Sequence, residues 1–112
     1  MNTHVRSGLS ARDRNFFLTA EDLAFRRMPA SPAGVAAELQ ACFGRKDPAP
    51  GRIAATLASQ GLLKEARGRP ALVPTRKGTR MVETAVEEYF SDEGLASSAE
   101  SPAFRALCAA RQ

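Results

Sequence analysis

The chain reads as mainly α-helical with a small two-stranded β-ribbon, and three observations predict this. Apolar residues recur at helical spacing in several separate segments. Most of those segments open on a serine or threonine suited to capping a helix. Two short apolar runs flank Arg67-Gly68-Arg69, and Pro70 and Pro74 limit them to one hairpin. A length of 112 residues suits one domain with a modest core, and no internal repeat is visible.

Taken in order, residues 1–10 are expected to form a flexible arm carrying His4, and Arg6, Arg12 and Arg14 are read as a disordered lead-in, the alternative being a basic arm that tracks a groove. Ser10 with Asp13, and Thr19 with Asp22, resemble two capping boxes, so one or two helices are expected between about 11 and 28. Phe16, Phe17, Leu18, Leu23, Phe25 and Met28 supply their large apolar groups. Ser31-Pro32 starts the next helix, with serine as cap and proline in the first turn. Val35, Ala36, Leu39, Cys42 and Phe43 repeat along it, and Gly44 ends it before a polar turn. A third helix begins near Pro50-Gly51. Ile53, Ala54, Leu57 and Ala58 face the core, Arg52, Ala55, Thr56, Ser59 and Gln60 face away, and Gly61 is the expected terminator.

The strand candidates are Leu63–Ala66 and Ala71–Pro74. Thr75 then caps a long helix. Its apolar stripe is Met81, Val82, Ala85, Val86, Tyr89 and Phe90, with Glu83, Glu87 and Glu88 outside the stripe. Tyr89 and Phe90 are read as core residues. The expected division is an arm at 1–10, a folded domain at 11–90, and a linker with a short final helix at 91–112.

Charge is distributed unevenly. Residues 45–80 hold nine basic and two acidic residues, a net of +7. Residues 81–112 hold two basic and six acidic, a net of −4. A basic middle beside an acidic end suits a surface that meets a polyanion on one side. Arg76, Lys77 and Arg80 stand in the first turns of a helix, where the dipole disfavours cations by a few tenths of a kcal/mol. A bound anion there reverses that disadvantage.

The stretch GRIAATLASQGLLKEARGRPALVPTRKGTRMVE resembles the second half of a winged helix-turn-helix domain, as in small bacterial regulators of the MarR and PadR kind. Gln60-Gly61-Leu62-Leu63, Arg67-Gly68-Arg69-Pro70 and Val73-Pro74-Thr75-Arg76-Lys77-Gly78 carry the likeness, which covers about residues 31–90. It implies a transcriptional regulator of repressor type that docks a recognition helix and a basic wing on duplex DNA. It also implies a homodimer reading paired half-sites. The DNA-binding residues implied are Arg52, Thr56, Ser59 and Gln60 on the helix, Arg67 and Arg69 at the wing tip, and Arg76, Lys77 and Arg80 after the wing. The turn from Gly44 to Ala49 departs from the pattern, being longer than the usual three or four residues.

Other readings are weaker. No pairing of nucleophile and base, no phosphate loop and no metal-ligand spacing is present, so neither catalysis nor a cofactor is expected. Cys42 and Cys108 are read as buried free thiols, and the final helix with Phe104 and Leu107 as packing on a second subunit. No stretch of about 18 apolar residues and no secretion signal is seen, so a cytoplasmic protein without membrane contact is expected. The alternative function is a winged-helix interaction module or inhibitor that binds an acidic protein partner. The long second turn, the few base-reading side chains and the acidic final third favour it.

Overall fold

Four helices and one hairpin follow one another among the residues described by a computed structural model, which are 8–43 and 49–93, with backbone only at 42–43 and 90–93. They are α1 (Ala11–Phe25), α2 (Pro32–Phe43), α3 (Pro50–Ser59), β1 (Leu63–Glu65), β2 (Leu72–Pro74) and α4 (Arg76–Glu93). The strands pair antiparallel, with Leu63 opposite Pro74, Lys64 opposite Val73 and Glu65 opposite Leu72. The expected arm up to Ser7, the polar turn at 44–48 with the Gly44 terminator, and the final helix with Phe104, Leu107 and Cys108 lie outside the described residues, as does the Cys42 side chain.

The central element is α1. Ser10 caps it by accepting a hydrogen bond from the Asp13 amide at 3.1 Å. Phe16, Phe17 and Leu18 are consecutive, so at about 100° per residue they point to three sides of the helix. A helix that is apolar on several sides must be enclosed. Here α2, α3, α4 and β2 all pack on α1, and every residue from Arg14 to Leu23 is buried. Val35, Ile53, Leu57, Leu62, Leu63, Leu72, Ala85, Val86 and Tyr89 complete one continuous core.

Several expectations need correction. The second capping box at Thr19 does not start a helix. The Thr19 hydroxyl donates instead to the Asn15 carbonyl at 2.8 Å inside α1. Phe25 and Met28 are 54 % and 59 % exposed, because α1 ends at Phe25 and leaves both beyond the enclosed turns. Arg14 is no lead-in. It is buried, with its guanidinium 5.6 Å from the Tyr89 ring centroid and its Nε donating to Asn15 Oδ1. Ala58 is exposed, and Glu88 is buried at the inner edge of the α4 stripe. The last helix runs to Glu93, three residues into the expected linker. No described helix is long and apolar enough to cross a membrane.

The exit of α1 is unusual. The Met28 amide donates to the Leu23 carbonyl and the Arg27 amide to the Ala24 carbonyl, the paired bonds of a Schellman stop. Arg27 adopts φ 60°, a left-handed conformation that glycine takes more cheaply. Ala30, just beyond, accepts a 2.8 Å bond from the Leu72 amide, which ties the hairpin to the link between α1 and α2.

Two adjacent acids are buried in α1. The Arg26 guanidinium bridges Asp22 at 2.9 Å and Glu38 at 3.0 Å, yet burial still raises the Asp22 pKa against the opposing pull of Arg26. Glu21 is 5 % exposed, its Oε1 has no hydrogen-bond partner, and burial pushes its pKa up to about 8. A raised folded-state pKa stabilises the fold fully below the unfolded value near 4.5, and that contribution is lost as pH climbs to about 8. Urea denaturation of wild type and Glu21→Gln should therefore diverge with pH. Wild type loses up to about 1.4 kcal/mol per pH unit relative to the variant across this window. Parallel curves would contradict the burial of an uncompensated Glu21.

Candidate nucleic-acid interface

The basic segment is assembled around one corner. Helix α3 stops at Gln60, with Gly61 following at φ 75°. The Gly61 amide donates to the Ala58 carbonyl and the Leu62 amide to the Leu57 carbonyl, a second Schellman stop. This reversal aims Leu62 and Leu63 into the core and sends the chain into β1.

The start of α4 closes on this corner. The Thr75 amide donates to the Leu62 carbonyl, and the Thr75 hydroxyl donates to the Gly61 carbonyl. The same hydroxyl oxygen caps α4 by accepting from the Gly78 amide at 2.9 Å. The Lys77 ammonium donates to the Gln60 carbonyl at 2.9 Å, satisfying one of the orphan carbonyls at the end of α3. Gly78 lies so close that a Cβ there would stand 2.1 Å from the Leu62 carbonyl oxygen. Only a glycine permits that approach.

The hairpin tip is a tight turn. The Arg69 amide donates to the Ala66 carbonyl at 3.2 Å and the Ala66 amide to the Ala71 carbonyl at 2.7 Å. Gly68 takes φ 79° between the two arginines, in open space. Arg67 and Arg69 are both exposed.

The nine residues singled out from the sequence separate into groups. Gln60 and Lys77 are brought into contact through the Gln60 carbonyl. Arg67 and Arg69 share one turn. Arg76 and Arg80, four residues apart, share the exposed face of α4. Arg52 and Gln60 are exposed on α3. Thr56 and Ser59 turn their hydroxyls onto their own helix, Thr56 donating to the Arg52 carbonyl at 3.0 Å and Ser59 to the Thr56 carbonyl at 2.7 Å. Arg69 also lines a cleft with Thr79, Val82 and Glu83 of α4. Thr79 stands about 200° around α4 from Lys77, so the cleft and the end of α3 flank opposite sides of that helix.

None of Arg52, Arg67, Arg69, Arg76 and Arg80 makes an ion pair with the described residues. Arg26, at the end of α1, by contrast pairs with both Asp22 and Glu38. Five arginines on α3, the hairpin and α4 thus have no counter-ion among the described residues. Sequence reasoning missed that Lys77 has a structural task, because a lysine reaching back across a hairpin to a carbonyl 17 residues earlier leaves no local pattern.

Protein-family models, curated proteins and solved structures alike contain no match to this chain.

The corner makes a direct prediction. In Gly78→Ala the new methyl meets a backbone oxygen that cannot step aside, so the cost should be about 3 kcal/mol or more. In Gly51→Ala the methyl enters open space near the start of α3, and a gain of about 0.5 kcal/mol is expected. Paired denaturation curves check both. A Gly78→Ala protein as stable as wild type would mean that the two helices are not seated as described.

Proposed function

We propose that the chain is a duplex-DNA-binding regulator of repressor type, acting through the exposed side of α3, the hairpin tip and the first turns of α4. The observation that carries the reading is the set of exposed arginines without counter-ions among the described residues, Arg52, Arg67, Arg69, Arg76 and Arg80, on three consecutive elements fastened at one corner. Unpaired guanidinium groups on a rigid scaffold suit phosphates, which they contact with two parallel hydrogen bonds.

On this reading the roles divide. Arg67, Arg69, Arg76 and Arg80 supply phosphate contacts, which position a protein and give salt-dependent affinity. Arg52 and Gln60 are the remaining candidates for base edges, guanine for the first and adenine for the second. Thr56 and Ser59 already donate to their own helix, and Lys77 to the α3 terminus, so their part is secondary. This reading gives broad affinity for duplexes with modest sequence preference. The winged-helix resemblance adds two copies on paired half-sites, which binding stoichiometry reads directly.

A second reading follows from the same hydroxyl engagement. With so few groups for base edges, the arginines also suit an acidic surface on a protein partner.

Fluorescence anisotropy with labelled duplexes separates the two. At about 50 mM salt the chain should bind duplex DNA, with log K falling against log[salt] at about 0.9 per phosphate contact. Replacing Arg67 and Arg69 with alanine should weaken all sequences alike and reduce that slope by about 2. Arg52→Ala or Gln60→Ala should instead narrow the gap between preferred and random sequences by about 1–3 kcal/mol. Absence of any duplex binding at about 50 mM salt would leave the acidic-partner reading standing and remove the first.

A further inference from the structure

The flank of α4 turned away from α3 carries a feature that the DNA-binding reading uses only at Arg69. The end of α1, strand β2 and the first turns of α4 enclose a cleft of about 800 Å³. That volume is within the range of pockets that hold small organic ligands. Val73, Pro74, Val82 and Phe25 give it an apolar lining, and Phe25 is an exposed large side chain that the core does not claim.

One group in the cleft is out of place. The Glu21 side chain lines it while being almost wholly buried, and its Oε1 has no hydrogen-bond partner. A buried carboxyl oxygen without a hydrogen-bond partner is rare in folded proteins and calls for an explanation. The other charged groups lining the cleft are Arg27 from the end of α1, Arg69 from the hairpin and Glu83 from α4. Both arginines are exposed, and neither bonds to Glu21. The protein thus holds a carboxyl group at an apolar cleft whose two arginines do not bond to it. Arg27 also keeps a left-handed backbone where glycine would be unstrained, and such positions gather at binding sites.

The geometry points to a binding site for a small organic amine or amidine with an apolar body. The cationic head pairs with the Glu21 carboxylate, and the body lies along Val73, Pro74, Val82 and Phe25. An ammonium or amidinium supplies both features that Glu21 lacks, hydrogen-bond donors and a compensating charge. An anionic head in that position would instead meet two carboxyl groups, Glu21 and Glu83.

The test uses the full chain without DNA, so that its outcome is separate from duplex binding. Tryptamine is the probe and tryptophol its uncharged isostere, each titrated into isotopically labelled protein and followed by amide NMR shifts. Tryptamine should produce saturable shifts at Ala24, Thr79 and Val82, and tryptophol should bind at least about tenfold more weakly. Glu21→Gln should lower tryptamine affinity by a similar factor. Glu21 holds its proton up to about pH 8, so wild-type affinity should rise by up to about tenfold per pH unit between about 6 and 8 as that proton is released. Equal binding of amine and alcohol to the wild type, or no saturable shift up to about 10 mM, would overturn the proposal even if the variant failed to fold. A folded Glu21→Gln protein that binds tryptamine as wild type does would overturn it as well.

Discussion

The seating of Gly78 on the Leu62 carbonyl is the constraint from which the rest of the arrangement follows. A hydrogen in place of a methyl group lets the first turn of α4 press against the chain leaving α3. Thr75 can then serve two elements at once, its hydroxyl donating to the Gly61 carbonyl while its oxygen caps α4. Lys77 reaches the open end of α3 from the same turn. The Gly78 position also approaches Glu21 Oε1, so the seat that aligns the basic elements helps to wall in the buried acid on the other side.

Around that seat the fold spends polar groups unevenly. Within α1, Thr19 is satisfied by its own helix, Arg14 lies over Tyr89, and Asp22 keeps one bond to Arg26. Glu21 Oε1 and the second Asp22 oxygen, Oδ1, have no hydrogen-bond partner. On the surface the same asymmetry appears with opposite sign, since no carboxylate among the described residues pairs with the arginines of α3, the hairpin and α4. Local rules tend to be broken where a protein meets something else. On α4, Arg76 and Arg80 stand one turn from the cleft residues Thr79 and Glu83, so the proposed duplex face and the proposed amine cleft adjoin, and Arg69 belongs to both.

The sequence was most legible where one side chain or one glycine decides a local outcome. Ser10, Ser31 and Thr75 each cap the helix expected of them, with amides of Asp13, Gly34 and Gly78 as donors. Gly61 reverses the chain, and the hairpin falls within a residue of its expected strands. The sequence was least legible in α1. Apolar and polar residues are mixed there without a stripe, so neither its burial on every side nor the outward placement of Phe25 and Met28 follows from spacing. Glu88 and Arg14 look like solvent residues until their neighbours are known. The cleft was invisible for the same reason, since three elements distant in sequence build it and its central residue, Glu21, sits in an ordinary run of helix-forming residues.

The central claim is that α3, the hairpin tip and the start of α4 together meet a nucleic-acid duplex. The most direct measurement is a map of amide NMR shifts during titration with a short duplex at low salt. The account predicts shifts concentrated at Arg52–Gln60, Arg67–Arg69 and Arg76–Arg80, reversed by added salt. Shifts confined to the exit of α1, or a spectrum unchanged at a saturating excess of duplex, would contradict it.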